Sequence, residues 1–268
     1  MMKIRLQSQL ADEDVAKRLG QQIPDSDVSF IVRDDAMVFK PNGQLLFIYL
    51  KNGLPPELHA KGLGVMKRIK DTTNLRATAA GGGDIAVRSV QLGYIDRVAR
   101  VDYCRMTGWT SKNTEDFKAI VPVFQEVGRL FAKWVPDRYA AQMEAVKKTK
   151  SDWIIPGTPF STVSVQTNWR TCGHTDTRDL KEGFSVITAF VEGKFDGFFF
   201  AYPKFKIGVQ FSPGGVLIND SHELHGNTPC DTDPDTFTRI TAVSFYSEKM
   251  WQCGSADEEF KKMREKYD

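Results

Sequence analysis

The chain has 268 residues, 41% of them hydrophobic and 26% charged, with a formal net charge of +2. That is enough apolar material for one large domain or two modest ones with a real core, and a charge too near neutral to demand or exclude a nucleic-acid partner. No apolar run reaches the roughly 18 residues of a membrane-spanning helix, and residues 1–20 turn polar too early for a signal peptide, so a cytoplasmic or nuclear setting is expected.

Residues 1–60 read as a prelude: a short acidic-capped helix from Asp12 to Leu19, then strands FIV, MVF and LLFIYL, with Pro41-Asn42-Gly43 as a turn. They suggest a small antiparallel unit. From Lys61 to Thr110 the signals mix. Gly81-Gly82-Gly83 lacks the strand-to-helix setting of a phosphate-binding loop and reads as a flexible loop near a substrate entrance. Asn113 to Trp134 is the clearest helix, with Phe117, Ile120, Val121, Phe124, Val127, Leu130, Phe131 and Trp134 at three- and four-residue spacing. Pro122 is expected to start a second helix or kink the first. Another helix is expected from Pro136 to about Lys148.

After Asp152 come FSTVSV, FSVITAFV, GFFFAY, IGVQF, GVLIND and RITAVSFY, β-branched or aromatic runs separated by turn residues. Helices first and strands second point to an α+β fold, a jelly-roll barrel buttressed by N-terminal helices. The expected layout is a single domain over residues 1–268: prelude to 60, mainly helical support over 61–150, barrel over 151–250, and a mixed-charge tail from 251. Cys104, Cys172, Cys230 and Cys253 are scattered without a Cys-x-x-Cys pair and read as free thiols.

The chemistry lies among the strands. Residues two apart on an extended chain share a face, so His174 and Asp176 can offer an imidazole and a carboxylate to one ion. A second histidine must come from elsewhere, and SHELHGN offers His222 and His225. Two histidines and a carboxylate form the set that holds non-haem Fe(II) with open positions opposite. Arg239, 14 residues after His225, is placed to grip the distal carboxylate of 2-oxoglutarate. This favours His225 as the ligand and leaves His222 outside the set. A zinc hydrolase uses similar ligands but leaves Arg239 without a role. A DNA-binding module that keeps the fold without catalysis is a further alternative.

The run PFSTVSVQTNWRT, then His174-Thr175-Asp176, then DLKEGFSVITAFVEGKFDGFFFAYPKFKIGVQFSPGGVLINDSHELHGNTP resembles the TET/JBP family. GYIDR, YCRMTGW and the helix from Pro136 resemble its N-terminal portion, so the likeness extends over most of Leu75 to Tyr246. The resemblance implies a double-stranded β-helix core with Fe(II) on His174, Asp176 and His225, 2-oxoglutarate on Arg239, and O2 as co-substrate. The implied partner is DNA containing a 5-methylpyrimidine, with no membrane and no obligate protein partner. The implied reaction is oxidation of 5-methylcytosine to 5-hydroxymethylcytosine and beyond. The alternatives are thymine oxidised to 5-hydroxymethyluracil, or a free nucleobase or other small molecule. A compact chain suggests a phage-type member, working in the host cytoplasm. A base must leave the duplex to reach buried iron. Asn168, Trp169, Arg170 and Tyr202 are the candidates to receive it, with Phe160 and Phe205 as further aromatics. Lys147, Lys148, Lys150, Arg170, Arg178, Lys204 and Lys206 are candidate phosphate contacts. The chain departs from the family at Phe198, where a second glycine is usual after Gly197, and at Thr241, where serine is common.

Overall fold

The structure is a computed structural model that describes residues 1–69, 73–77, 84–98 and 101–267, with 73–77, 84–88 and 267 described by backbone alone. Gly81-Gly82-Gly83 lies outside the described residues. The strands are β1 (Met2–Arg5), β2 (Phe30–Val32), β3 (Ala36–Phe39), β4 (Leu45–Leu50), β5 (Thr73–Ala77), β6 (Asp84–Arg88), β7 (Val90–Ile95), β8 (Arg105–Met106), β9 (Thr162–Thr167), β10 (Ser185–Glu192), β11 (Phe200–Tyr202), β12 (Ile207–Val209), β13 (Val216–Asn219), β14 (Gly226–Asn227) and β15 (Thr238–Phe245). The α-helices are α1 (Asp12–Ala16), α2 (Pro56–Met66), α3 (Gly108–Lys112), α4 (Thr114–Trp134), α5 (Pro136–Lys148) and α6 (Ala256–Tyr267). None is long and apolar enough to cross a membrane.

Two sheets face each other in a double-stranded β-helix. Among the described residues the larger has nine strands in the order β1-β3-β4-β13-β10-β15-β9-β7-β8, and the smaller four, β14-β11-β12-β2. All six strand runs expected after Asp152 are present. The prelude contains the expected antiparallel pair, β3 with β4, and is joined to the barrel sheets. β4 pairs antiparallel with β13, β1 runs parallel to β3, and β2 runs parallel to β12, so its strands extend both sheets. β2, which has no partner within the prelude, and the free edge of β4 satisfy their backbone groups on the edges the barrel exposes.

The period-two alternation of strand side chains divides the interior. On β10, Val186 and Phe190 turn toward α2, α4 and the outer core, while Ile187, Ala189 and Val191 face the smaller sheet. On β15, Ile240 and Ala242 join the outer core, whereas Arg239, Thr241, Val243 and Phe245 line a cavity between the sheets. The α4 stripe is buried from Phe117 to Phe131, as its spacing predicts. Pro122 neither starts nor divides a helix. It lies on the exposed face, where the Lys118 carbonyl it leaves unpaired can turn to water.

The cysteine expectation needs correction. Cys104 and Cys253, 149 residues apart, form a disulfide that ties β8 to the segment before α6, while Cys172 and Cys230 are free. Local spacing carries no trace of a pair made by tertiary packing.

Candidate active site

Residues His174 and Asp176 lie beyond the end of β9, in extended chain that runs against the segment leading into β14. His174 and His225 form an antiparallel bridge, each backbone N–H donating to the other's carbonyl at 2.9 Å, and the Asp176 N–H donates to the Ser221 carbonyl at 3.0 Å. Gly226 permits the close approach, since a Cβ there would come within 2.9 Å of the Thr171 and Cys172 carbonyls.

This lacing brings one donor atom from each of His174, Asp176 and His225 within 4.8 Å of one another. Nε2 of His174 lies 3.5 Å from one Asp176 oxygen and Nε2 of His225 lies 3.6 Å from the other. Each Nδ1 faces a backbone carbonyl, that of Cys172 at 2.9 Å and of Glu223 at 2.8 Å. A proton on Nδ1 satisfies those carbonyls and leaves each Nε2 lone pair free for a metal. Burial and the neighbouring His174 depress the His225 pKa to about 4, so its ring is neutral at ordinary pH. The donor set therefore fits a divalent iron. His222 lies outside it, with Nδ1 3.3 Å from Asp220 and Nε2 3.4 Å from the Asp179 carbonyl.

The three residues line a cavity of about 810 Å³. Arg239 lines it too and is 2% exposed. Its guanidinium lies between two rings, 5.0 Å from Phe198 and 5.4 Å from Phe211. Among the described residues its Nε has no hydrogen-bond partner and no carboxylate pairs with it. Burial lowers its pKa to about 10, which still leaves it charged. A desolvated cation without an anion is an incomplete site, one that an anionic group such as a carboxylate would complete. The Phe198 departure shapes this pocket directly: the residue keeps the left-handed backbone suited to glycine, with φ of 53°, while its ring covers the guanidinium.

Asp179 also lines the cavity. It accepts hydrogen bonds from the Ser185 and Ser221 hydroxyls. Burial, and then the nearby Asp176, push its carboxyl well above the usual range.

The candidate base contacts stand behind the wall of the cavity and do not line it. Asn168 donates to the Pro234 and Phe237 carbonyls and accepts from the Arg239 N–H at 2.7 Å, fastening the start of β15. Arg170 donates to the Ile23 and Asn227 carbonyls. Tyr202 is fully buried and stacked on Phe47 at 5.7 Å. Trp169 is half-buried, and none of the four lines the cavity. Phe160 and Phe205 are core residues. Of the candidate phosphate contacts, Lys147, Arg178 and Lys204 pair with Glu144, Asp96 and Asp12. Sequence reasoning passed over Gln166, Asn219 and Arg105, which do line the cavity. Only the inward alternation of β9 and β13 could have flagged the first two.

Residues 92–248 match the model of the Tet_JBP family, described as the oxygenase domain of the 2OGFeDO superfamily. The chain belongs to this family. As an oxygenase domain it uses Fe(II) and 2-oxoglutarate, which the triad and Arg239 fit. The chain is 30% identical over 217 residues to thymine dioxygenase JBP1 of Leishmania braziliensis, covering 80% of this chain and 26% of that protein. It is 32% identical over 217 residues to thymine dioxygenase JBP1-B of Trypanosoma cruzi (strain CL Brener), covering 79% and 25%. The chain thus spans about a quarter of the length of these curated relatives. The structure of NgTET1 in complex with 5mC DNA superposes with a TM-score of 0.65, covering 96% of this chain and 100% of that one at 13% identity, a likeness of fold.

Proposed function

We propose that this protein hydroxylates the 5-methyl group of thymine in DNA, giving 5-hydroxymethyluracil. The carrying observation is one cavity that contains both the His174–Asp176–His225 donor set and the buried, anion-free Arg239. Bound Fe(II), with O2 and 2-oxoglutarate, supplies the oxidising chemistry that turns a methyl C–H into C–OH while oxoglutarate becomes succinate and CO2. The chain's own residues do the positioning. Arg239 orients the oxoglutarate, Phe198 and Phe211 keep water from that ion pair, and the Cys172 and Glu223 carbonyls hold the two imidazoles in the ligating tautomer. The cavity volume suits a co-substrate together with one extruded base.

Support for the target base comes from the curated relatives, named thymine dioxygenases at about 30% identity. The solved relative that holds 5mC DNA is at 13% identity and speaks for the fold alone. The preference read from the sequence, 5-methylcytosine, therefore gives way to its alternative, thymine. The test is nucleoside mass spectrometry after incubation with Fe(II), 2-oxoglutarate and a duplex containing both bases, with Asp176→Ala and Arg239→Ala beside the native protein. The expected product is 5-hydroxymethyluracil, lost in both variants. A 5-hydroxymethylcytosine product would return the target to 5-methylcytosine. Oxoglutarate turnover with neither product would remove DNA as the substrate.

A further inference from the structure

The cavity has two ends, and only one is accounted for by the cofactors. Arg239, Thr241, Val243 and Phe245 face it in succession along β15, a span of about 20 Å at roughly 3.3 Å per residue. The strand register defines the far end. Phe245 pairs with Thr162, Thr162 with Gly93, and two residues further on Ile95 pairs with Arg105 on the edge strand β8. Arg105 therefore lines the cavity at the end away from Arg239.

The cations at that end differ in what they are bound to. Arg178 is paired with the buried Asp96, which also accepts from the Ser247 hydroxyl at 2.9 Å. Arg97 is paired with Glu259 at 2.7 Å. Arg105 is half-buried, and its guanidinium lies 5.9 Å over the Tyr103 ring. Its Nη1 is buried with no hydrogen-bond partner, and no carboxylate pairs with it, among the described residues. The fold thus withdraws one nitrogen of a half-exposed guanidinium from water, at the end of the cavity away from Arg239, with no carboxylate paired to it among the described residues.

We infer that Arg105 binds a backbone phosphate flanking the nucleotide whose base enters the cavity. The inference rests on the DNA reading above. If the 5-methyl group meets the triad, the sugar and its phosphates trail back toward the outer end. There a planar, permanently charged fork suits a phosphate's paired oxygens. Because Arg178 and Arg97 are held by carboxylates, Arg105 supplies the charge that positions the strand. It is a positioning residue for the oxidised base.

The test is fluorescence anisotropy of a labelled duplex across a salt series, with the native protein, Arg105→Gln and Arg105→Lys, alongside thermal melts and 2-oxoglutarate affinity. Arg105→Gln is expected to weaken DNA binding about tenfold near 0.1 M salt and to flatten the log Kd against log salt slope by about one unit. Arg105→Lys is expected to recover the slope. Melting temperature should not fall, and 2-oxoglutarate affinity should stay at the native value. An unchanged slope overturns the inference, and if the variant also melts lower, Arg105 serves the fold. Loss of 2-oxoglutarate affinity with native DNA binding assigns it to the cofactor instead. A native protein that fails to bind DNA overturns this inference together with the DNA reading. Native binding and oxidation with an unaltered slope in Arg105→Gln overturns this one alone.

Discussion

At the residue scale the site rests on a charge that the fold leaves uncompensated. Arg239 is buried between two aromatic rings, and Asn168 anchors its backbone from both sides, accepting from its N–H and donating to its carbonyl. Such a cation destabilises the cofactor-free protein and is offset only when an anion enters. Arg239→Met should therefore raise the melting temperature of the cofactor-free protein. It should also weaken 2-oxoglutarate binding by about 100-fold or more, since removing one partner of a buried ion pair costs about 3 kcal/mol or more. Thermal melts and titration calorimetry check both. A variant that melts lower yet binds normally would make Arg239 a structural residue. The sequence singled out Arg239 by its distance from His225, and the fold brings both to one cavity. It misdirected the reading at Asn168, whose amide looked available for a base but is used up on the backbone that holds Arg239.

At the element scale, the buried carboxylate of Glu259 ties α6 to the chain around Cys104. Glu259 is 1% exposed and accepts from Arg97, Lys262 and the backbone N–H groups of Cys104 and Gly254. Burial pushes its pKa up, but these donors outweigh burial and hold it at about 2, against an ordinary value of 4.5. A carboxylate with a depressed folded pKa contributes stability above its unfolded pKa and loses it as pH falls toward the folded one. Glu259→Gln should thus be less stable than the native protein at pH 7, by about 2 kcal/mol. The difference should shrink between about pH 4.5 and pH 2 and vanish below. Urea denaturation across that range measures it, and a pH-independent difference would refute the ionised role. Nothing in the mixed-charge tail announced the contacts with Cys104 and Arg97, which lie 155 and 162 residues away in the chain.

At the scale of the whole molecule, sheet extension and one cross-link bind the N- and C-terminal segments to the barrel. β1 to β4 extend both sheets, and the Cys104–Cys253 disulfide joins the edge strand that carries Arg105 to the segment before α6. Thiol titration in denaturant should count two free cysteines before reduction and four after. The Cys253→Ser protein should be less stable by about 2–4 kcal/mol, the range for a cross-link closing a long loop. Four reactive thiols in the unreduced protein would show that the pair stays open.

Periodicity and composition by themselves determined the α+β class, the α4 stripe, the six barrel strands and the order His174, Asp176, His225, Arg239. These are local properties, written in spacings of two to four residues and in the succession of motifs along one chain. Only the tertiary structure decided which side chains share the cavity. Arg105 reaches it through three successive strand pairings, while Tyr202 and Arg170 are drawn into packing and backbone contacts behind its wall. The disulfide and the placing of the prelude strands on both sheets belong to the same class. Each depends on which distant segments the collapsed core brings within a few ångströms, and a linear pattern carries no measure of that distance.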